Sequence, residues 1–375
     1  MTRNRLRSRA SLILAALTVA AVSGATVSAP VQGAVSAAPN PLARAVPHHV
    51  VVSGRDNPRQ LSLTPSGRLL LAEAGHGGKK CSGTGDNRTC IGATSKLTVI
   101  RHGHARTVAG HFLSGAGPDG SFAVGMDGAG KRAGGRYFAI ETFAPRDVIP
   151  RGLPGWQSGK LIAVDNAGHK RAFANITRFE RRHDPDHEGF DSDPYSVLVL
   201  KHRVLVADAA GDFIAQVSPH GHVSLFAALP EYGPKVDPVP TVITRGPHGT
   251  ILVGELHSEQ PGKAKIHQYS RYGKLLRSWG GFTTITGIGL GRDGRMYVSE
   301  LFGGNCGFDK IPSCFPGRVV RVMPNGHRQA KVVPFPAGLV VRGNQPYVSV
   351  FSVSPANGFG GNPAWSGQVW RLDRW

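Results

Sequence analysis

Residues 286–300 read Thr-Gly-Ile-Gly-Leu-Gly-Arg-Asp-Gly-Arg-Met-Tyr-Val-Ser-Glu, and this stretch decides the fold. A first run of small and apolar residues leads to the pair Asp293-Gly294, and a second run ends on the carboxylate of Glu300. An Asp-Gly pair supplies the positive-φ positions that a two-residue hairpin turn needs. The stretch therefore predicts two antiparallel strands with an acidic residue at the end of the second strand.

The same unit recurs along the chain with one constant spacing. In each copy, the residue that ends the second strand lies six positions beyond the last turn residue. The turns end at Gly67, Gly135, His202, Gly249, Gly294 and Asn344, and the strands end at Glu73, Glu141, Asp208, Glu255, Glu300 and Val350. Copies that lie 45 to 68 residues apart are typical of propeller blades. In the second copy, we assign the first strand to residues 122–124.

These repeats predict an all-β fold: one domain over residues 46–375, a six-bladed β-propeller of four-stranded blades. The last blade has its third strand at 367–372 and no fourth strand of its own. An apolar stretch at 48–53 belongs to no hairpin. We expect this N-terminal strand to complete the last blade, because closing the ring removes an exposed strand edge.

The first 37 residues are predicted to be a signal peptide and linker. Four arginines near the N-terminus precede an apolar core at 12–22, which is too short for a convincing membrane span, and small residues follow. Cleavage could follow Ala25, Ala29 or Ala37. We therefore expect a secreted, extracellular protein without a membrane span.

The four cysteines fit an oxidising compartment. Cys81 and Cys90 lie in one Gly-rich insertion, and Cys306 and Cys314 lie in another. Two local disulfides are the simplest of the three possible connectivities. A zinc site is the alternative, although neither pair has the Cys-x-x-Cys spacing that such sites favour.

The charge balance points to anionic partners. The chain has 44 Lys and Arg against 24 Asp and Glu, a formal net charge of +20. Such a protein is expected to be held near anionic polymers of the cell wall or extracellular space, or to bind a small molecule. Nucleic acid is not expected, because there is no basic helix and no recognisable nucleic-acid-binding module. We expect a monomer.

The long loops are predicted to share one face of the propeller. Insertions at 75–94, 142–158, 302–316 and 353–366 all follow second strands, and long connectors at 109–119, 176–193 and 229–240 follow fourth strands. In a four-stranded blade, these two kinds of loop emerge on the same side. Functional residues often lie on loops held by a rigid scaffold, so this face is the candidate site.

The same face should carry one acid from each of five blades: Glu73, Glu141, Asp208, Glu255 and Glu300. Converging carboxylates could hold Ca²⁺, bind a cationic or polyhydroxy ligand, or supply an acid or base with a raised pKa. Alternatively, each acid accepts backbone N–H bonds from its own loop or from the neighbouring blade. The cofactor is left open, with Ca²⁺ as the candidate.

Two further features contain histidine. His257 follows Glu255 by two residues, which allows an acid–base pair, although a solvent-facing position at the start of a loop is the expectation. Residues 183–194 form the densest cluster of acids and histidines, but their spacing matches no EF-hand loop, and their Asp-Pro pairs are ordinary turn starters.

Taken as a series, several segments resemble the ScyD/ScyE family of exported propellers, which are similar to NHL-type propellers. The segments are Asn57-Pro58-Arg59, Leu70 to Gly75, Asp191 to Tyr195, Val206 to Gly211, Val239-Pro240-Thr241, Leu252 to Leu256 and Tyr297 to Glu300. The resemblance covers nearly all of 46–375 and implies six blades. It supplies no catalytic residues. This chain departs from the family pattern at Asp193, where Asn is expected, and at Val350, where a polar residue is expected.

These observations favour a secreted propeller that binds a ligand or an envelope partner through the face with the long loops. The alternative is an enzyme, either a metal-dependent propeller hydrolase or lactonase, or one similar to virginiamycin B lyase. It would use a bound divalent cation with Glu255, Glu300 and His257. No catalytic residue is assigned on the sequence alone.

Overall fold

A computed structural model describes residues 42, 45–233 and 236–373 of the chain. The predicted signal peptide therefore lies outside the described residues. The regular structure is almost entirely antiparallel β-sheet, arranged as six sheets that form the six predicted blades. The described residues include no helix long and apolar enough to cross a membrane.

Consecutive strands pair side by side within each of blades two to five. Blade one has an additional short strand at Lys80–Ser82, so its second strand pairs with the strand at Thr89–Arg101 instead. Before the first blade comes β1 (His48–Arg55). Blade one contains β2 (Pro58–Leu63), β3 (Leu69–Glu73), β4 (Lys80–Ser82), β5 (Thr89–Arg101) and β6 (His104–Ala116). Blade two contains β7 (Met126–Lys131), β8 (Tyr137–Glu141), β9 (Lys160–Val164) and β10 (Lys170–Asn175), followed by the helix α1 (Ile176–His183). Blade three contains β11 (Pro194–Val199), β12 (Val204–Asp208), β13 (Phe213–Val217) and β14 (Val223–Ala228).

The remaining blades repeat this order. Blade four contains β15 (Pro240–Arg245), β16 (Ile251–Glu255), β17 (Ala264–Tyr269) and β18 (Leu275–Phe282). Blade five contains β19 (Ile285–Leu290), β20 (Met296–Glu300), β21 (Arg318–Val322) and β22 (Arg328–Val332). Blade six contains β23 (Leu339–Arg342), β24 (Gln345–Val350) and β25 (Gly367–Leu372), with β1 as its fourth strand.

One strand differs from its predicted position. The first strand of blade two is β7, at Met126–Lys131, and the assignment to 122–124 was wrong. The sequence of β7, Met-Asp-Gly-Ala-Gly-Lys, resembles a turn. Its glycine at 128 is required by packing, because a Cβ there would lie 2.5 Å from Oε1 of Gln60 and 2.6 Å from the carbonyl oxygen of Tyr195.

The predicted closure of the ring is confirmed. The N-terminal strand β1 pairs antiparallel with β25, with Val50 opposite Trp370. The imidazole of His48 stacks on the Trp370 ring, with 3.5 Å between ring centroids. Nearer the axis, the hydroxyl of Ser349 in blade six donates to the carbonyl oxygen of Arg59 in blade one, at 2.8 Å.

A separate apolar cluster fills each of the six interfaces between neighbouring blades. Adjacent residues of a strand point to opposite sides, so one strand serves two interfaces. In β3, Leu70 packs against blade two and Leu71 packs against blade six. This double burial explains why second strands such as β3 are apolar throughout rather than alternating.

The first strands of neighbouring blades contact one another and surround the axis. The second strands all end at the same side, where the long loops 142–159, 301–317 and 351–366 emerge, and this side is called the loop face. The opposite side carries the short turns between first and second strands and is called the turn face. Both predicted disulfides are confirmed: Cys81 pairs with Cys90, and Cys306 pairs with Cys314.

Deleting residues 46–54 should destabilise the whole ring, because every blade packs on both of its neighbours. We expect the melting temperature to fall by about 10 °C, since each kcal/mol lost shifts it by roughly 2–4 °C in a domain of this size. Calorimetry would compare this variant with an otherwise identical chain that begins at residue 42 and retains β1. Unchanged melting would contradict closure by β1.

Candidate functional site

The five predicted acids all end second strands at the loop face, and all five are fully buried: Glu73, Glu141, Asp208, Glu255 and Glu300. The sixth position is Val350, which is also buried. The acids lie in five different blades, and four of them form hydrogen bonds with groups of the surrounding loops and strands. The described residues contain no group of three or more His, Cys, Asp or Glu side chains placed to hold a metal ion.

Glu73 and Glu300 are neutralised by cations. The Oε2 atom of Glu73 accepts the backbone N–H of Asp56 at 2.9 Å and lies 3.6 Å from Nζ of Lys96. Its Oε1 atom lies 3.5 Å from the guanidinium of Arg55. In blade five, Nε of Arg318 donates to Oε2 of Glu300.

Asp208 orders the connector before blade three and the turn that follows its own strand. Its Oδ1 accepts backbone N–H groups of Asp193 at 2.6 Å and Gly211 at 3.2 Å, and its Oδ2 accepts the Ser192 hydroxyl at 2.7 Å. Burial raises the pKa of Asp208 to about 7, although these three hydrogen bonds oppose the shift. Its contacts are those expected of an acid that orders its own loop.

Glu141 is unlike the others, because neither of its carboxyl oxygens has a hydrogen-bond partner. Burial raises its pKa well above the usual range, the nearby Asp127 carboxyl raises it further, and Lys170 partly opposes the shift. A buried carboxylate without a partner is costly, so the protonated acid is the stable form.

The structure adds a buried group that sequence reasoning missed. Nε of Arg59 lies 3.3 Å from Oδ1 of Asp127, and both side chains are buried where blades one and two meet. Burial raises the pKa of Asp127 to about 7, with Arg59 opposing the shift and Asp193 adding to it. Asp127 could not be identified from the sequence because β7 resembles a turn. Asp193, which departs from the pattern of the ScyD/ScyE family, was the sequence feature that could have pointed to this group.

Glu255 forms the densest hydrogen-bond network. Its Oε1 atom lies 2.8 Å from Nδ1 of His257 and accepts the backbone N–H of Lys265 at 3.1 Å. Its Oε2 atom lies 2.8 Å from Nε2 of His267 and accepts the Tyr232 hydroxyl at 3.0 Å. Burial, with Glu255 adding to it, raises the pKa of Tyr232.

His257 was expected to face solvent, but it is buried, with only 6% of the residue exposed. Its φ of 55° turns the chain back, so that residues 255 and 257 share one side. His267 and Tyr232 were missed because they come from β17 and from the connector before blade four. Ser258 and Glu259 also have positive φ, which makes 257–259 a strained segment.

A broad groove opens on the loop face beside blade two, with a volume of about 1060 Å³. It lies between the loop 143–158 and the segment 175–181, which covers most of α1. Five cations and one acid, Asp147, line it; the cations are Arg146, Arg151, Lys160, Arg178 and Arg181. Sequence reasoning identified the long loop here but none of these residues.

Exposed aromatic rings border this groove. The Trp156 side chain is 43% exposed at its lining, and Phe190 is 43% exposed beside it. The guanidinium carbon of Arg181 lies 4.1 Å from the centroid of the Phe190 ring. Partial burial lowers the pKa of Lys160. Closely spaced cations beside open aromatic faces are suited to an anionic ligand with ring-shaped units.

Glu141→Gln should flatten the dependence of stability on pH. In the native state, Glu141 keeps a proton that it releases above about pH 4.3 in the unfolded chain. The contribution of this proton to stability is therefore fully present below that pH and is lost as pH rises. Between pH 5 and 8, the unfolding free energy of the wild type should fall by up to about 1.4 kcal/mol per pH unit more than that of the variant. Urea unfolding would measure both, with the exposed Glu231→Gln as control; equal slopes for the wild type and Glu141→Gln would contradict a protonated Glu141.

The chain matches no protein-family model and no curated protein. A candidate glucose dehydrogenase from Thermus thermophilus is 14% identical, with 88% of this chain and 100% of that chain covered and a TM-score of 0.52. A candidate gluconolactonase is 11% identical, with coverage of 90% and 96% and a TM-score of 0.50. Virginiamycin B lyase from Staphylococcus aureus is 11% identical, with coverage of 88% and 99% and a TM-score of 0.47. At these identities, the first two similarities show a shared propeller fold and nothing about activity.

Proposed function

We propose that this chain is an exported propeller of the ScyD/ScyE type that binds an anionic extracellular or cell-wall polymer through the groove beside blade two. The proposal rests on the composition of that groove, in which five cationic side chains and one acidic side chain line a volume of about 1060 Å³. Within this proposal, the N-terminal segment directs export and the mature chain acts as a monomer. Two disulfides fit an oxidising compartment.

The groove has the chemistry that a polymer of acidic sugars requires. Guanidinium groups such as those of Arg151 and Arg178 can each bind a carboxylate or phosphate through two parallel hydrogen bonds. The exposed ring of Trp156 offers apolar area to the face of a sugar ring. The groove is open, so a chain longer than the groove can pass through it.

The acids at the ends of the second strands are less suited to a ligand. A carboxylate has about four acceptor positions. Glu255 uses four, through His257, Lys265, His267 and Tyr232, so it has none left for a cation or a substrate. Glu300 belongs to another blade and is engaged by Arg318.

Polymer binding should depend on the groove cations. We expect the mature protein to be retained on immobilised polygalacturonate at low salt and to elute as salt rises. Because each charge-assisted hydrogen bond contributes about 1.5–3 kcal/mol, Arg151→Ala with Arg178→Ala should weaken binding more than tenfold.

The control is Arg101→Ala with Arg136→Ala, which removes the same charge from exposed residues on the turn face. This control should bind nearly as the wild type does. Equal weakening in both double variants would show attraction by net charge alone and would overturn the assignment to the groove. A failure of the wild type to bind would overturn the function itself.

One observation favours the enzyme as a second candidate, namely that two histidines contact Glu255. A hydrolase, a lactonase or a lyase needs such acid–base groups. Under our proposal these groups are structural. We therefore expect no turnover of a lactone panel above background, and no change in melting temperature with EDTA or added Ca²⁺.

Turnover of a lactone that is lost in Glu255→Gln and kept in the exposed-residue control His220→Ala would instead establish that the protein is an enzyme. A fall in melting temperature on removal of a stoichiometric metal would establish a metal site. Both measurements are independent of polymer retention, so each proposal can fail separately.

A further inference from the structure

The ring encloses a second cavity, on the axis and distinct from the groove. Its walls are the six first strands, and its volume is about 670 Å³, within the roughly 300–1,000 Å³ typical of ligand pockets. The residues that begin these strands at the loop face are buried, including Arg59, Met126 and Ala337. The cavity is therefore a cup that opens only toward the turn face, and it is called the axial cup.

The walls of the axial cup are effectively apolar. Leu63, Leu198 and Val340 are half-buried in its lining. The polar side chains among the lining residues are largely occupied by bonds between blades. Gln60 both donates to and accepts from the backbone of Val197, at 2.9 and 3.0 Å.

Other polar groups of the cup are engaged in the same way. The Ser62 hydroxyl donates to the carbonyl oxygen of Ala129 at 2.9 Å, and the Thr286 hydroxyl donates to that of Pro336 at 2.9 Å. A ligand entering the cup would therefore meet mainly hydrocarbon, and burial of apolar area would drive its binding.

The mouth of the axial cup is cationic. Lys131, Arg132, Lys201 and Arg245 line it, and no acid is present among its lining residues. No carboxylate of the described chain forms an ion pair with any of these four. Neutral groups hold two of these cations in place: the guanidinium carbon of Arg132 lies 5.0 Å from the centroid of the Phe138 ring, and Arg245 donates to the carbonyl oxygen of Val199 at 3.2 Å.

We propose that the axial cup binds a small amphiphilic anion, with its apolar body inside and its carboxylate, sulfonate or phosphate at the mouth. The apolar walls and the cationic mouth select for the two ends of such a molecule. An anionic head at the mouth would meet four cationic side chains and no carboxylate, which favours it over a neutral or cationic head. The site is separate from the polymer groove in position and in ligand class.

The probe for this site is decanoate, measured by isothermal titration calorimetry against two molecules of equal chain length, decan-1-ol and decyltrimethylammonium. We expect decanoate to bind with one site per chain and at least tenfold more tightly than either. Lys201→Ala with Arg245→Ala should weaken decanoate binding about tenfold. Thr244→Trp should weaken it as well, by filling the cup.

The matched control is Arg151→Ala with Arg178→Ala, which removes the same charge from the groove and should bind decanoate as the wild type does. Thermal melting checks that each variant is folded. Decanoate binding that is absent, or no tighter than that of decyltrimethylammonium, would overturn the proposal. Wild-type affinity for decanoate in both Lys201→Ala with Arg245→Ala and Thr244→Trp would overturn it too. None of these outcomes for decanoate decides whether the wild type is retained on the polymer, so the two sites are tested independently.

Discussion

The close approach of the six first strands around the axis is the constraint on which the rest of the structure depends. A Cβ at residue 338 would lie 2.1 Å from the backbone nitrogen of Leu61, and one at residue 287 would lie 2.6 Å from that of Leu339. Real Cβ atoms do not come that close to backbone, so a side chain at either glycine would force neighbouring blades apart. Hydrogen bonds such as Ser349 to the carbonyl of Arg59 then join the blades across the gap that glycine leaves. The closed end of the axial cup and the positions of the second strands both follow from this approach.

Most of the fold could be predicted because its signals are local. Turn chemistry and the constant spacing to the end of the second strand specify a hairpin within some fifteen residues, and six hairpins specify the number of blades. Ring closure followed from one orphan strand and one incomplete blade. The first strand of blade two could not be placed, because Gly128 is there to make room for Gln60 and Tyr195. That requirement comes from blades one and three and leaves no local pattern.

The candidate sites could be predicted only in part, for the same reason. The acid at the end of each second strand is visible in the sequence, but its partners are not. His267 reaches Glu255 from β17, and Arg318 reaches Glu300 from β21. His257 was misplaced because the chain turns back at this positive-φ residue, just after the strand ends, and brings the imidazole against Glu255. The groove shows the same limit, since its cations come from a loop, from the start of β9 and from α1, and meet only in the folded chain.

The burial of acidic residues makes the surface of the protein more basic. Among the residues whose burial the structure describes, eleven of the chain's 24 acids are buried, whereas Arg59 is the only buried Lys or Arg. The protein thus withdraws negative charge from the surface and leaves most cations exposed, in the groove and at the mouth of the axial cup. Burial also raises the pKa of Glu180 and Asp212 to about 8, so these acids carry little charge at neutral pH. The attraction felt by an anion should therefore exceed what the formal net charge of the mature chain implies, and it should strengthen as pH falls. The fold uses acids at its strand ends to order its own loops. Because these acids are buried, the exposed surface is dominated by cations and is suited to anions.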